Sequence, residues 1–338
     1  MKKRRYIIFF TVTVLLILGL IWLSLYLGST RLGAEEILRI LGGDREDTAH
    51  MNIIMNIRLP RAMAALLLGG ALALSGYMLQ TFFGNPIVGP FVLGISSGAK
   101  LAVALVMILC LSAGRTIGLT EMVLSAFVGA MTAMAFVLLI SVKVKSMSIL
   151  VVCGIMIGYI CSAITDFVVT FADDANIVNL HNWSMGSLSG INWDELRVAA
   201  IIIAVCLILA FTLIKPMNAY RMGEAYARSV GVNIRWLRVM LILVSSLQAA
   251  CVTAFAGPIS FVGIAVPHLA RICLRSDAAH IMIPACFLGG SVVTLLCDAI
   301  ARTVFSPMEV SISSVTAVLL VPVVILMLVR RKGKSGDD

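Results

Sequence analysis

The chain has 338 residues, of which 60% are hydrophobic and only 13% are charged, with a formal net charge of +9. Soluble domains are about 45–50% apolar and about 25% charged, so no soluble core could hide this much apolar surface. The composition and the mean hydropathy of +1.05 exclude an ordinary soluble protein and predict one whose solvent is lipid.

Ten apolar segments are predicted to cross the membrane as helices, since about 20 residues span the hydrocarbon core. The first is longer than the apolar region of a signal peptide and lacks a small-residue cleavage site, so we expect it to be retained. The eighth is short and contains Pro267, His268 and Arg271. The predicted spans are Ile7–Leu27, Ala62–Thr81, Phe91–Leu111, Glu121–Ile140, Ile149–Phe171, Leu196–Ile214, Val239–Ala256, Ser260–Leu274, Ile281–Ile300 and Val310–Val329.

The positions of Lys and Arg predict the orientation, because cytoplasmic segments are enriched in basic residues. With the N-terminus inside, 17 of the 26 basic residues fall inside and 8 outside, and the flipped arrangement reverses this bias. The predicted fold is therefore all-α: a polytopic membrane bundle of about ten transmembrane helices, forming a single domain over residues 1–338, with both termini cytoplasmic. The net charge suits anionic lipid headgroups and does not indicate nucleic acid.

Three segments between spans are long enough to have structure of their own. The outer segment 28–60 contains the amphipathic sequence AEEILRILGG, which predicts a surface helix. The outer segment 172–195 carries Trp183 and Trp193, which suit the membrane interface. The inside segment 215–238 is basic and helix-forming, and its glycines predict two short helices on the cytoplasmic face.

Motifs for enzyme chemistry are missing from the sequence, which has no GxxxxGK[ST], HExxH or CxxC pattern. His181 and His268 stand alone, and a lone histidine is more often structural than a metal ligand. The eight cysteines lie in or beside apolar spans, where a thiol behaves as a small hydrophobe. We therefore predict a non-enzyme with no metal or cofactor of its own.

Charged residues near the outer ends of spans need an explanation. Arg58 and Arg61 precede the second span on the outside, against the general bias, with Pro60 placed to start the helix. They either reach lipid headgroups or bind an acidic partner, and the residues alone leave both open. In the ninth span Asp298 and Arg302 are four residues apart, so they share a helix face and can pair.

Five blocks of sequence resemble the permease subunits of the iron-chelate and cobalamin ABC importers, the FecCD permease family. They follow the family's order and cover most of the chain. The blocks are Arg58–Ala99, Trp183–Trp193, Gly223–Val232, Ala256–Arg271 and Cys297–Val310.

The resemblance implies the membrane subunit of an ATP-driven importer in the cytoplasmic membrane of a bacterium or archaeon. Its partners would be a second permease subunit, identical or different, two cytoplasmic ATPase subunits that bind the ATP, and an extracytoplasmic substrate-binding protein. By family frequency, a ferric siderophore is the first expected substrate, haem the second and cobalamin the third.

The resemblance also implies roles for individual residues. Three arginines would dock acidic residues of the binding protein, five residues would couple to the ATPase, and four would line the pathway or its gates. These are Arg58, Arg61 and Arg302 for docking; Gly223, Glu224, Ala227, Arg228 and Gly231 for coupling; and Ser146, Ser148, Trp183 and Ser187 for the pathway.

One block departs from the family pattern. Ser311 stands where proline is usual, and Ser313 and Leu320 stand where glycine is usual. Losing these helix breakers predicts a more regular tenth span and a change in its packing or in its permease partner.

Two other functions compete with the importer. An ion-coupled secondary transporter would need ionisable residues near the bilayer midplane, for which only Lys100 and Asp166 qualify. A non-transporting membrane scaffold would not need the segment 215–238. Only the importer function would use both the segment 215–238 and the outer arginines.

Overall fold

The computed structural model describes residues 2–28, 32–43, 48–115, 117–144, 146–172, 174–304, 306 and 308–333. Parts of two predicted segments, residues 29–31 and 44–47 of the first and residue 173 of the second, lie outside this set. The predicted all-α membrane bundle is confirmed. The helices are α1 Lys2–Tyr26, α2 Ala34–Leu41, α3 Thr48–Asn52, α4 Leu59–Phe83, α5 Ile95–Ser112, α6 Leu119–Lys143, α7 Met147–Val169, α8 Asp174–Ser184, α9 Trp193–Thr212, α10 Ile214–Arg221, α11 Glu224–Ser229, α12 Ile234–Ala256, α13 Val262–Leu274, α14 Ala279–Thr303 and α15 Ile312–Gly333.

Eight helices of the described chain are long and apolar enough to cross a membrane. They correspond to eight of the ten predicted spans. The other two predicted spans correspond to α13, which is shorter, and to α15. At 1.5 Å per residue the 13 residues of α13 extend about 20 Å, less than the roughly 30 Å of hydrocarbon. Phe261 is in the left-handed conformation at φ 64° and precedes the first residue of α13. The helix therefore starts at Val262, two residues after the predicted start at Ser260.

The second span begins earlier than the sequence indicates. Its helix runs continuously over Ala49–Phe83, so the end of the predicted outer loop is helical, and Pro60 lies inside the helix and does not start it. A π turn over Ile53–Arg58 precedes the proline, with the Leu59 N–H donating to Ile54 O. Because proline has no N–H to donate, the wider turn lets the chain pass it without a break. The predicted surface helix is present as α2.

The third predicted span is also interrupted. A short 3-10 helix, Pro90–Leu93, is followed by Gly94 in the left-handed conformation, and only then does α5 begin. The continuous helix predicted from Phe91 therefore starts four residues later, because a left-handed residue cannot propagate an α-helix.

Helix α4 lies at the centre of the bundle and packs against α1, α9, α12, α13 and α14. Two glycine contacts allow this packing. A Cβ on Gly76 would lie 1.8 Å from Gly263 O in α13, and a Cβ on Gly69 would lie 2.7 Å from Gly290 O in α14. Glycine is thus required where the backbones meet, as is typical of membrane helix interfaces.

The tenth span shows what replaces its missing helix breakers. Helix α15 is continuous from Ile312 and is capped by Ser311, whose Oγ accepts from Ser314 N at 3.2 Å. The Ser313 hydroxyl donates to Pro258 O, and Ile312 N donates to Gly186 O. These bonds tie α15 to the loops around α8 and α13, and glycine at position 313 could not make the bond to Pro258 O.

Candidate functional site

The three arginines predicted to dock a partner meet at one end of the bundle, but they are buried. Arg58, Arg61 and Arg302 are 4%, 8% and 9% exposed, respectively. Arg58 donates to the backbone carbonyls of Leu25 and Tyr26 at the end of α1. The sequence suggested a solvent-facing cluster, and the structure instead seals these guanidinium groups between α1, α4 and α14.

Two carboxylates hold this end together. Asp298 is 1% exposed and lies 2.9 Å from Arg61 Nε and 3.1 Å from Arg302 Nε. The contact with Arg302 is an ion pair without hydrogen-bond geometry. Glu309 lies 2.9 Å from Arg61 Nη1, and its side chain is 45% exposed. We call Arg61, Asp298, Arg302 and Glu309 the outer ion cluster.

Burial explains why the outer ion cluster is assembled this way. A charge removed from water is stable only when paired and hydrogen-bonded. Asp298 neutralises two arginines, and Arg302 also donates to the Ser24 hydroxyl at 2.8 Å. The predicted pairing of Asp298 with Arg302 is confirmed. The pairing of Asp298 with Arg61 was missed, because 237 residues separate them in sequence.

The predicted outer mouth residues lie where α8 ends. Trp183 is half-buried in α8, and Ser187 is exposed in the following loop, with its N–H donating to Ala256 O at 2.8 Å. Gly186 separates them at φ 75°, a conformation that favours glycine. The loop is thus fixed against the end of α12. The second interfacial tryptophan, Trp193, donates its ring N–H to Met55 O at 2.8 Å.

The predicted gate residues Ser146 and Ser148 are exposed at the start of α7. Met147 between them lines a cleft of about 520 Å³ at the end of the bundle opposite the outer ion cluster. Their gating role stays a prediction.

The segment 215–238 has the two short helices expected from sequence, α10 and α11. Gly223 and Gly231 flank α11 at φ 118° and 84°, so both need the freedom of glycine. Glu224 binds Arg228 at 2.5 Å and Arg238 at 2.8 Å, which holds α11 against the start of α12. Ala227, the remaining residue implied in coupling, lies within α11 and is buried.

A chain of polar contacts joins this segment to the core of the bundle. Asp277 lies 3.0 Å from Arg221 of α10 and 2.9 Å from Arg271 of α13. Arg271 in turn donates to Gln80 Oε1 of α4 at 2.8 Å, and the Gln80 amide donates to the carbonyls of Gly263 and Ile264. We call Arg221, Asp277, Arg271 and Gln80 the inner polar link.

Sequence reasoning missed the inner polar link as a unit. Its only signal was Arg271, a charge inside an apolar segment, which usually faces protein or water. Asp277 lies only six residues further along, but Gln80 is 191 residues away, so no local pattern could join them.

All eight cysteines are free thiols, as expected for a membrane-buried set. Within the described residues, no group of three or more His, Cys, Asp or Glu side chains could hold a metal ion. His268 lines the inner cleft, and His181 is exposed in α8.

A helical membrane bundle with a buried outer charge cluster and a structured inner loop tied to its core defines a multi-pass transport permease. The family model of the FecCD transport family matches residues 15–330. The chain belongs to that family, whose members are permease subunits of ABC importers.

Individual relatives agree. The chain is 33% identical over 315 residues, 92% of its length and 94% of the relative's, to the hemin transport system permease protein HmuU of Yersinia pestis. It is 34% identical over 336 residues, 99% of its length and 96% of the relative's, to the vitamin B12 import system permease protein BtuC of Klebsiella pneumoniae.

A solved structure of a metal-chelate type ABC transporter in an inward-facing conformation superposes with a TM-score of 0.84 at 28% identity. The match covers 96% of this chain and 99% of that one. A second structure, PsaBC from Streptococcus pneumoniae in complex with a Fab, shares only the fold, with a TM-score of 0.53 at 16% identity.

Proposed function

We propose that this chain pairs with a second permease subunit to form the pathway of an importer driven by two separate ATPase subunits. An extracytoplasmic binding protein would deliver the substrate, and the assembly would lie in a bacterial or archaeal cytoplasmic membrane. The observation that carries this proposal is the inner polar link. Through its four side chains, a cytoplasmic segment is connected to the central helix α4. A transporter driven from its cytoplasmic face requires such a connection.

We infer that the substrate is a metal chelate or a metal-containing ring compound. The relatives are named for hemin and vitamin B12, and the structural neighbour for a metal chelate. A ferric siderophore is the first candidate, with haem and cobalamin as the other two. Competition among the three for ATP-dependent uptake into vesicles that contain the complete transporter would rank them.

The ion-coupled secondary transporter is less well supported. It would need charged residues facing the protein interior near the midplane. Asp166 is exposed on the surface of α7, three residues from the end of that helix, and Lys100 is partly exposed on α5.

Replacing Glu224 and Arg228 together by alanine tests the coupling role of α11. The double variant removes the ion pairs that fix α11 to α12, so we expect substrate-stimulated ATP hydrolysis and uptake to fall together while membrane insertion persists. The matched control is Asp194→Ala with Arg197→Ala, an exposed helix pair at 3.0 Å near the outer end of α9.

Uptake at the native rate in the Glu224 and Arg228 double variant would reject α11 as the coupling element. An equal loss in the Asp194 and Arg197 control would show that the assay reports general damage. Uptake that persists without any ATPase subunit would reject the importer itself.

A further inference from the structure

A groove lies between the cytoplasmic half of α1 and the end of α13. It has a volume of about 880 Å³. One end is lined by basic side chains and the rest by apolar ones. The basic residues are Lys2, Arg4, Arg5 and Arg275, and the apolar wall includes Ile8, Phe9, Val12 and Leu16.

The basic end has no ion-pair partner among the residues that the structure describes. Among the residues that the structure describes, no carboxylate oxygen lies within 4 Å of Lys2, Arg4, Arg5 or Arg275, whereas other cytoplasmic arginines such as Arg221 and Arg238 have such partners. Four cations that line one groove and lack an ion pair within the described residues are complementary to an anion.

The apolar wall determines which anion fits. From Lys2 to Leu16 the helix rises about 21 Å at 1.5 Å per residue, which reaches from the headgroup level to near the midplane of a bilayer whose core is about 30 Å thick. Val12 and Leu16 are each 48% exposed along this wall. A soluble anion would use only the basic end, whereas a phospholipid would use both parts.

Arg275 provides a second observation. It has φ 48° and ψ 41°, the left-handed conformation that closes many helices and that glycine adopts most easily. A non-glycine residue with positive φ is uncommon, and the described chain has only one other, Phe261. The left-handed position therefore places a guanidinium group at the mouth of the groove. Glycine would fit this position better if capping α13 were its only role.

We propose that this groove binds one anionic phospholipid of the cytoplasmic leaflet, with its phosphate among the four basic side chains and an acyl chain along Val12 and Leu16. The groove shares no lining residue with the outer ion cluster, the inner polar link or α11, although Arg275 lies between Arg271 and Asp277 in sequence. Its role would be to anchor α1, which is mostly exposed to lipid, against α13.

The test is native mass spectrometry of the full-length chain titrated with phosphatidylglycerol, and with phosphatidylcholine of the same chain length. The informative variant is Arg275→Gly, because glycine suits the left-handed position and should leave thermal stability equal or higher. We expect its affinity for phosphatidylglycerol to fall about fivefold, and about 25-fold when Arg5→Gln is added, since each basic residue near the surface contributes similarly.

Lys143→Gln is the matched control, because it removes an exposed positive charge from the cytoplasmic end of α6, outside the groove. Equal loss of lipid binding in Lys143→Gln and Arg275→Gly would overturn the proposal, as would equal binding of the two lipids. Inorganic phosphate that displaces the lipid at matched concentration would show a soluble-anion site. If Arg5→Gln disturbs membrane insertion, the lipid affinity of Arg275→Gly alone tests the proposal.

Discussion

Asp298 is the residue on which the outer end of the bundle depends most. It is the only carboxylate of the outer ion cluster that is fully buried, and it contacts two arginines on different helices. Removing one partner of a buried ion pair leaves the other charge desolvated and uncompensated. Glu309 pairs with Arg61 but remains about half exposed to water, so this pair should contribute far less to stability.

Replacing Asp298 by asparagine should therefore destabilise the chain strongly, by about 3–5 kcal/mol. Glu309→Gln should cost no more than about 1 kcal/mol, because water screens its partly exposed ion pair. Thermal unfolding of the purified variants in one detergent measures the difference. Equal losses in the two variants would mean that burial does not set the strength of these pairs.

The burial of the arginines also changes how a binding protein would dock. Arg61 already holds a carboxylate, Glu309, at the exposed edge of the outer ion cluster. A carboxylate from a partner must therefore share Arg61 with Glu309 or replace it.

Glu309→Gln should accordingly strengthen docking of the binding protein, by up to about fivefold for an ion pair of this exposure. Raised salt should weaken docking to the native chain, since exposed charges are screened beyond about 10 Å at 0.1 M. The control is Glu121→Gln, a carboxylate paired with Arg115 at 2.7 Å elsewhere on the outer side. Equal affinity in Glu309→Gln and native chains would remove the docking role.

At the scale of helices, the sequence predicts what depends on composition and misses what depends on backbone geometry. Apolar length located the spans, because burial in lipid needs only a long apolar run. The early start of the second span was missed, because Pro60 indicated a helix start and a π turn leaves no clear sequence pattern. The two glycines of segment 215–238 did predict its two helices, because their conformational effect is local.

The candidate sites follow the same rule. Asp298 and Arg302 were paired correctly from their spacing within one helix. The contacts of Arg61 with Asp298, and of Arg271 with Gln80, join residues far apart in sequence, so only the packed bundle reveals them. Residue type therefore predicted which charges matter, and long-range packing decided whether each is exposed.

The close contact between α4 and α13 at Gly76 predicts that a larger residue there destabilises the bundle. Gly76→Ala would place a Cβ 1.8 Å from Gly263 O, and two backbones cannot yield as a flexible side chain can. We expect a loss of at least about 1–3 kcal/mol, the usual cost of overpacking. Gly19→Ala in α1, where nothing lies within 4 Å of an added Cβ, is the control. Thermal unfolding in detergent should separate the two variants, and a Gly76→Ala protein as stable as the control would show that α4 and α13 can move apart freely.

At the scale of the whole molecule, the two ends of the bundle are connected through α4. Its outer end carries Arg61 of the outer ion cluster, and its inner end carries Gln80 of the inner polar link. Because most residues of α4 are buried, this helix cannot shift without moving its neighbours. A rigid central helix suits a transporter in which ATP is hydrolysed on one side and substrate arrives on the other.

Asp277 offers the sharpest test of that connection, because its carboxylate pairs with both Arg221 of α10 and Arg271 of α13. It is about half exposed, so its two ion pairs together contribute about 0.4–2 kcal/mol, and their loss should leave the fold and ATPase binding intact. Asp277→Asn keeps the side-chain size but removes both pairs, so α10 can move without Arg271. We expect the amount of substrate taken up per ATP hydrolysed to fall about two- to thirtyfold in vesicles, the range that this energy permits. Asp194→Asn, which removes an exposed ion pair at the outer end of α9, should leave that ratio unchanged. If the ratio is the same in both variants, the force of ATP hydrolysis reaches α4 by another route, and the inner polar link only stabilises the loop.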